Sequence, residues 1–218
     1  MFAVITPEKI QLPPGTVMRL LGNWQDYKTL KQQLGDRPFP RLKYRHGELF
    51  LMSPLPDHGR KAAILANIVR VILEHLGKEY DEFTPITLEL PEESGIEPDY
   101  CFYIDNWQAV SGKARINWAI DPPPDLVIEV DITSYTDVND YLPYRVPEIW
   151  LMKGEELNIY RLQENSYQVV YRCVYFPSLN IVPLVSSCLQ TAYQRNTSTS
   201  VRELRRKLLE GEWRLSNE

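Results

Sequence analysis

Apolar positions along the chain change period several times, and each change marks an element. Between Asn23 and Gly35, Trp24, Tyr27, Leu30 and Leu34 recur at near-helical spacing. With Asn23 as cap and Gly35 as stop, this predicts a short helix laid on a core. From Arg41 to Met52 the period is two: Leu42 and Tyr44 alternate with basic residues, His46-Gly47 supplies a turn, and Glu48-Leu-Phe-Leu-Met resumes the strand. That is the pattern of a β-hairpin. After the Ser53-Pro-Leu-Pro loop, His58 to about His75 is dense in Ala, Ile, Leu and Val, with Asp57 able to cap and Gly77 to end it. A helix with so wide an apolar face is expected to be buried.

Three strand candidates come next. Phe83 to Leu90 alternates, Pro98 to Ile104 is short and aromatic, and Asp125 to Ile132 is a nearly continuous β-branched run. The last pattern marks a strand covered on both faces. Polar connections occupy 105–124 and 133–140, and Pro147–Met152, Leu157–Leu162 and Tyr167–Tyr175 read as a terminal meander. A final helix is predicted from Ser200, where Ser200 and Glu203 spell a capping box. Val201, Leu204 and Leu208 line one side of it; Arg202, Arg205, Arg206 and Lys207 line the other.

Strands and helices in this order predict a mixed central sheet flanked by helices, an α/β (α+β) fold. The expected division is an N-terminal arm (1–22), one domain (23–195) and a C-terminal amphipathic helix (196–218). A chain of 218 residues with 44% hydrophobic and 24% charged residues is ordinary for a globular protein. Disorder, collagen and coiled coil are thereby excluded. No apolar stretch approaches the ~18 residues a spanning helix needs, and Met1–Leu12 carries no apolar secretory core. The net charge of −5 does not advertise a polyanion partner. Cys101, Cys173 and Cys188 are far apart with no CxxC, so a structural zinc site is not expected. Free thiols in a reducing cytoplasm are the plain expectation.

The oddities are charges inside apolar runs. Glu129 interrupts Leu126-Val-Ile-Glu-Val. An ionised carboxylate in such a strand must be paired, hydrogen-bonded or bound to a metal, because desolvation alone costs too much. Asp99 follows Pro98 at the start of an aromatic strand. On neighbouring strands the two acids would converge at the sheet's edge, where hard oxygen ligands suit Mg²⁺ completed by water and phosphate oxygens. Each also has a structural reading: a buried ion pair for Glu129, a strand-entry turn for Asp99. Asp131 shares the face of Glu129 by period two, as a further acid or as a strand-end cap. His58 begins a helix, where the dipole disfavours a cation; it could reach phosphate or pack a loop. Glu89, Glu92, Glu93 and Glu97 are expected to be mostly solvated.

The order of these features resembles a known family. Glu48 with Leu49–Pro54 and His58, then Glu97-Pro-Asp99, then Pro124-Asp-Leu-Val-Ile-Glu129-Val-Asp-Ile-Thr-Ser, then Val146-Pro-Glu-Ile-Trp150, is similar to the Uma family of putative restriction endonucleases. That family belongs to the PD-(D/E)XK nuclease superfamily. The resemblance spans roughly residues 20 to 190. It implies a restriction-endonuclease-like fold with Mg²⁺ as cofactor and DNA as partner. Asp99, Glu129 and the Val130 carbonyl would be metal ligands, and Glu48 an additional catalytic acid. The activity implied is endonucleolytic hydrolysis of DNA phosphodiesters, the metal activating a water. A homodimer is suggested by the same analogy.

One element of the pattern is missing. Two residues after Glu129 stands Asp131 rather than Lys, and the segment Ser134 to Glu148, where family members carry the lysine instead, has none. Asp140 falls near the expected position, and Arg145 is the only cation there. Arg can stabilise a phosphate but does not lose its proton to activate water. Lys61 and Lys153 are substitutes without a spacing argument. Arg37, Arg41, Lys43, Arg45 and the basic face of the last helix are available to hold a backbone. The rival expectation is a degenerate, non-catalytic member that binds nucleic acid or a protein partner. A cation pointing into the space between Asp99 and Glu129 separates the two.

Overall fold

A computed structural model of the protein describes residues 10–35, 40–131 and 136–213. Arg37, the start of the N-terminal arm (1–9) and residues 132–135 lie outside the described residues.

The strands form two sheets. The first contains β1 (Thr16–Leu21), β2 (Arg41–Arg45), β3 (Glu48–Ser53), β5 (Leu88–Leu90) and β6 (Ser94–Ile96), in the order β1-β3-β2-β6-β5. The second contains β4 (Asp81–Phe83), β7 (Tyr100–Tyr103), β8 (Leu126–Asp131), β9 (Glu148–Lys153), β10 (Glu156–Gln163) and β11 (Ser166–Val170), in the order β11-β10-β9-β8-β7-β4. Among the described residues only β8 and β9 run parallel; the other pairs are antiparallel. The helices are α1 (Trp24–Leu34), α2 (Pro56–His75), α3 (Trp107–Val110), α4 (Ile181–Gln194) and α5 (Thr197–Leu209), with a 3₁₀ helix at Val138–Tyr144. The chain is thus the mixed α/β protein that the patterning predicts.

Local chemistry explains the sharpest boundaries. Asn23 and Asp26 cap α1 reciprocally, the Asp26 amide donating to Asn23 Oδ1 at 3.0 Å and the Asn23 amide to Asp26 Oδ2 at 2.8 Å. Such a cap is worth about 1 kcal/mol. The β2–β3 turn places both His46 (φ 48°) and Gly47 (φ 79°) at positive φ, the geometry a tight two-residue hairpin requires.

β8 is covered on both faces, as its unbroken apolar run predicts. Leu126, Ile128 and Val130 pack with α2 (Leu65, Val69, Ile72) and with Trp150 in the main core. Val127 joins Cys101, Tyr103, Ile149 and Tyr141 on the opposite face. Period two therefore carries Glu129 and Asp131 onto the face of Val127, away from α2.

The structure departs from the patterning in several places. Phe83–Leu90 is not one strand: β4 and β5 belong to different sheets, separated where Pro85 cannot donate to a ladder. Thr16–Leu21, expected as part of an arm, pairs with β3 as a sheet edge. β6 was not foreseen; a Cβ on its Gly95 would fall 2.4 Å from the Tyr27 hydroxyl, so only glycine admits that ring. α4 was not foreseen either. α5 starts at Thr197, with the Asn196 side chain accepting from the Thr199 amide at 2.9 Å. Ser200 is not its cap; buried inside the helix, it donates to the Cys188 carbonyl at 2.7 Å. Asp57 lies in the first turn of α2 rather than at its cap. The basic face of α5 is largely neutralised: Arg205 pairs with Glu74, Arg206 with Glu210 and Lys207 with Glu212. Among the described residues no helix is long and apolar enough to cross a membrane.

Candidate functional site

β7 and β8 pair with Tyr100 opposite Ile128. One step further on that register sets Asp99 against Glu129, on the same face. The two acids thus meet at the strand ends, between interior strands of the second sheet, and not at its edge strand.

Asp99 is 1% exposed. Its Oδ1 accepts from the Arg41 guanidinium and from His58 Nε2 (2.7 Å), and its Oδ2 accepts from the Val130 amide (2.8 Å). Burial alone would raise its pKa. The His58 hydrogen bond, the Arg41 charge and the Val130 amide outweigh burial and hold the carboxyl below its usual range. Arg41 comes from β2 and His58 from α2, so three elements converge on one carboxylate.

Glu129 behaves oppositely. Among the described residues only Tyr141, from the 3₁₀ helix, donates to it, through its hydroxyl to Oε1. Burial, then the neighbouring negative Asp99, push its carboxyl up to about 8, while Tyr141, Lys43 and Arg41 pull it down. Glu129 is deeply surrounded, yet part of its surface stays open. It opens into a cavity of about 50 Å³ between the sheets, lined by Arg41, Lys43 and Met52 from the first and by Glu129, Val130 and Tyr141 on the second sheet's side. By that measure a water needs roughly 10–15 Å³, so the space admits a few waters or a small hydrated ion.

Other predicted residues fall as follows. Asp131 is buried, lines the cavity and accepts from the Thr136 amide at 3.0 Å. Glu48 is ion-paired with Arg19 and is not among the residues lining the cavity. Arg145 donates to Asn165 at 2.9 Å, Lys61 to the Gly154 carbonyl at 2.8 Å, and Lys153 is exposed; none of the three lines the cavity.

Two groups were under-read from the sequence. Glu97 is not solvated: it lines the cavity, and burial, partly offset by Arg41, raises its pKa. Its place two residues before Asp99 was the available signal. Arg41, Lys43 and Arg45, which the sequence offers as contacts to a nucleic-acid backbone, all point at acids of the second sheet's side. Arg41 reaches Asp99, and Lys43 and Arg45 both pair with the buried Asp140. Three cations at i, i+2 and i+4 of one strand share a face, and that alternation was visible. A cation does therefore enter the space beside the two acids.

Fold and site together define a mixed α/β protein with paired acids on adjacent strands, of which Glu129 lines a cavity that basic residues also line. A family model described as "Putative restriction endonuclease", Uma2, matches residues 24–186. The chain belongs to the Uma2 family. Among curated proteins nothing matches. A crystal structure of a putative nuclease belonging to DUF820 from Anabaena variabilis is similar at 15% identity and a TM-score of 0.49, over 84% of this chain and 97% of that one.

Proposed function

We propose that the protein is a Mg²⁺-dependent endonuclease that hydrolyses DNA phosphodiester bonds at the Asp99–Glu129 pair. The observation carrying this reading is the arrangement at the cavity: Glu129, with its raised pKa, lines it beside Arg41 and Lys43, and the buried, fully paired Asp99 stands opposite Glu129 on the neighbouring strand.

The donor set suits a hard divalent ion. Glu129 and Asp99 repel each other, and Glu129 resists ionisation for that reason among others; a divalent cation between them would relieve the strain. No three His, Cys, Asp or Glu side chains form a closed metal cage among the described residues. A Mg²⁺ held here by Glu129 and the Val130 carbonyl, with Asp99 joining as it gives up Arg41 or His58, would keep waters and take phosphate oxygens, as that ion ordinarily does. Bound there, it would polarise the phosphodiester and lower the pKa of a water. In the net reaction that water adds to phosphorus as one P–O ester bond breaks. One of its protons ends on the leaving oxygen, giving a phosphomonoester and a hydroxyl end.

The chain's own residues prepare the site. Arg41, His58 and the Val130 amide fix Asp99 as a carboxylate. Tyr141 fixes the orientation of Glu129. Glu48 is left out of the set, because Arg19 holds it elsewhere.

Supercoiled-plasmid nicking with Mg²⁺, Mn²⁺ or EDTA tests the reading. Nicking in the presence of either metal, its loss in EDTA and its loss in a folded Glu129→Ala variant are expected. Nicking that survives in Glu129→Ala removes the pair from the mechanism. No nicking by the unaltered protein leaves the non-catalytic binding reading.

A further inference from the structure

The segment between β8 and β9 lacks the lysine that the resemblance led one to expect, and Asp140 stands near its place. Asp140 is 7% exposed, an expensive position for an unpaired acid. Two cations from the opposite sheet balance it: Lys43 on Oδ2, and Arg45 on Oδ1 at 2.5 Å. The count at this cluster is one negative and two positive charges. Arg45, which also lies over the Phe50 ring at 5.1 Å, suffices to neutralise Asp140. The ammonium of Lys43 is then surplus charge at the wall of the cavity that Glu129 also lines. An ammonium has three N–H donors; the bond to Asp140 uses one.

We infer that Lys43 supplies the missing cation of the site. Reaching across from β2, it donates to a non-bridging oxygen of the scissile phosphate, and Asp140 is the positioning residue that holds it there. The acid sits on the segment between β8 and β9, and the lysine comes from the other sheet. Arg41 differs in its charge balance: its guanidinium is matched by Asp99, whereas Asp140 has two cations upon it. Asp140 and Tyr141 are adjacent in the 3₁₀ helix, so one turn positions both the cation and Glu129. This inference rests on the phosphodiesterase reading above.

The test compares Lys43→Met, Lys43→Asp, Asp140→Lys and the double exchange Lys43→Asp/Asp140→Lys with the unaltered protein. Three readouts are used: Mg²⁺-dependent plasmid nicking, Mn²⁺ affinity by calorimetry, and binding of a short DNA duplex in Ca²⁺. In Lys43→Met, Asp140 keeps Arg45, so the fold is retained. Nicking should fall about 10²–10³-fold, the usual cost of one lost transition-state donor. Mn²⁺ affinity should be unchanged and duplex binding weakened. The double exchange should nick better per folded molecule than either single charge variant, whereas a merely structural ion pair would show its rescue in urea unfolding and leave the specific rate of the three alike.

Lys43→Met nicking at the unaltered rate, while Glu129→Ala abolishes it, overturns the inference and leaves the nuclease reading intact. Loss of Mn²⁺ binding in Lys43→Met overturns it too, since Lys43 would then be organising the metal site. An exchange no better than the singles removes Asp140 as the positioning partner. An unaltered protein that does not nick with either metal overturns both readings together.

Discussion

The two ends of β8 bury acids in opposite ways. At its start, Asp125 (2% exposed) accepts at Oδ2 from the amides of Ile104 (2.7 Å), Asp105 (2.9 Å) and Asn106 (3.0 Å), and at Oδ1 from Asn106 Nδ2 (2.9 Å). Beside it Glu148 (0% exposed) accepts from Trp150 Nε1 at 3.0 Å, the Val174 amide at 2.9 Å and Arg161 at 3.4 Å. Most of these donors are backbone amides or an indole, and neither acid lines the cavity between the sheets, which Glu129 does. At its end, Asp99 and Glu129 draw on cations and a phenol brought from β2, α2 and the 3₁₀ helix. One of them remains under-satisfied beside the cavity. Burial of a carboxylate is therefore no evidence of chemistry by itself. Saturated by local amides, an acid is a staple that pins loops. Left short of donors beside a like charge and an opening, it is poised to take a ligand.

The largest effect that could break this contrast is at Asp125. Asp125→Ala leaves three backbone amides and one side-chain amide unpaired in the interior. A loss of about 3–5 kcal/mol in urea unfolding is expected. Whatever fraction remains folded should nick plasmid at the normal specific rate. A loss below about 1 kcal/mol, or a specific loss of nicking, would put Asp125 in the same class as Glu129.

Glu148→Gln should cost less, about 1–3 kcal/mol. The amide oxygen can still accept from one donor group, while its NH₂ faces either the Trp150 indole or the Val174 amide, both donors. Plasmid nicking should again be unaffected in the folded protein. A change in metal dependence in this variant would mean that the two ends of the sheet are coupled.

Much of this was readable in the residues. β8 declared itself by its apolar run, and Glu129 by interrupting it. The β2–β3 hairpin and α1 declared themselves through period and caps. What could not be read was pairing over distance. Lys43 and Asp140 are 97 residues apart, and nothing local to either announces the other. Ser200 misled because S-x-x-E is equally compatible with the interior of a helix that Asn196 caps. Glu97 misled because a run of acids suggests solvent, whereas period two from Asp99 turns this one inward. Strands β4 and β5 were joined because alternation persists across Pro85 although sheet membership does not.

The smallest effect sharpens the contrast most, because it concerns the free energy of the functional end directly. Glu129 has its carboxyl pushed up to about 8 from an ordinary 4.5, by burial first and then by Asp99. The native state therefore holds this proton more tightly than the unfolded chain does. The resulting stability is complete below the unfolded value and is lost as pH rises through the folded one. In EDTA, unfolding free energy should decline between about pH 5 and 8. Glu129→Gln keeps an acceptor for Tyr141 and has nothing to titrate at that position, so its profile should decline less, keeping the part that Glu97, also raised by burial, contributes. The variant should overtake the unaltered protein on the alkaline side by on the order of 1–2 kcal/mol. Asp99 does not confuse the window. Its lowered pKa contributes stability that is present above the unfolded carboxyl value and is lost only on acidification. Parallel profiles for the two proteins would mean that Glu129 is as well satisfied as Asp125, and the distinction between staple and site would then fail at the residue on which it depends.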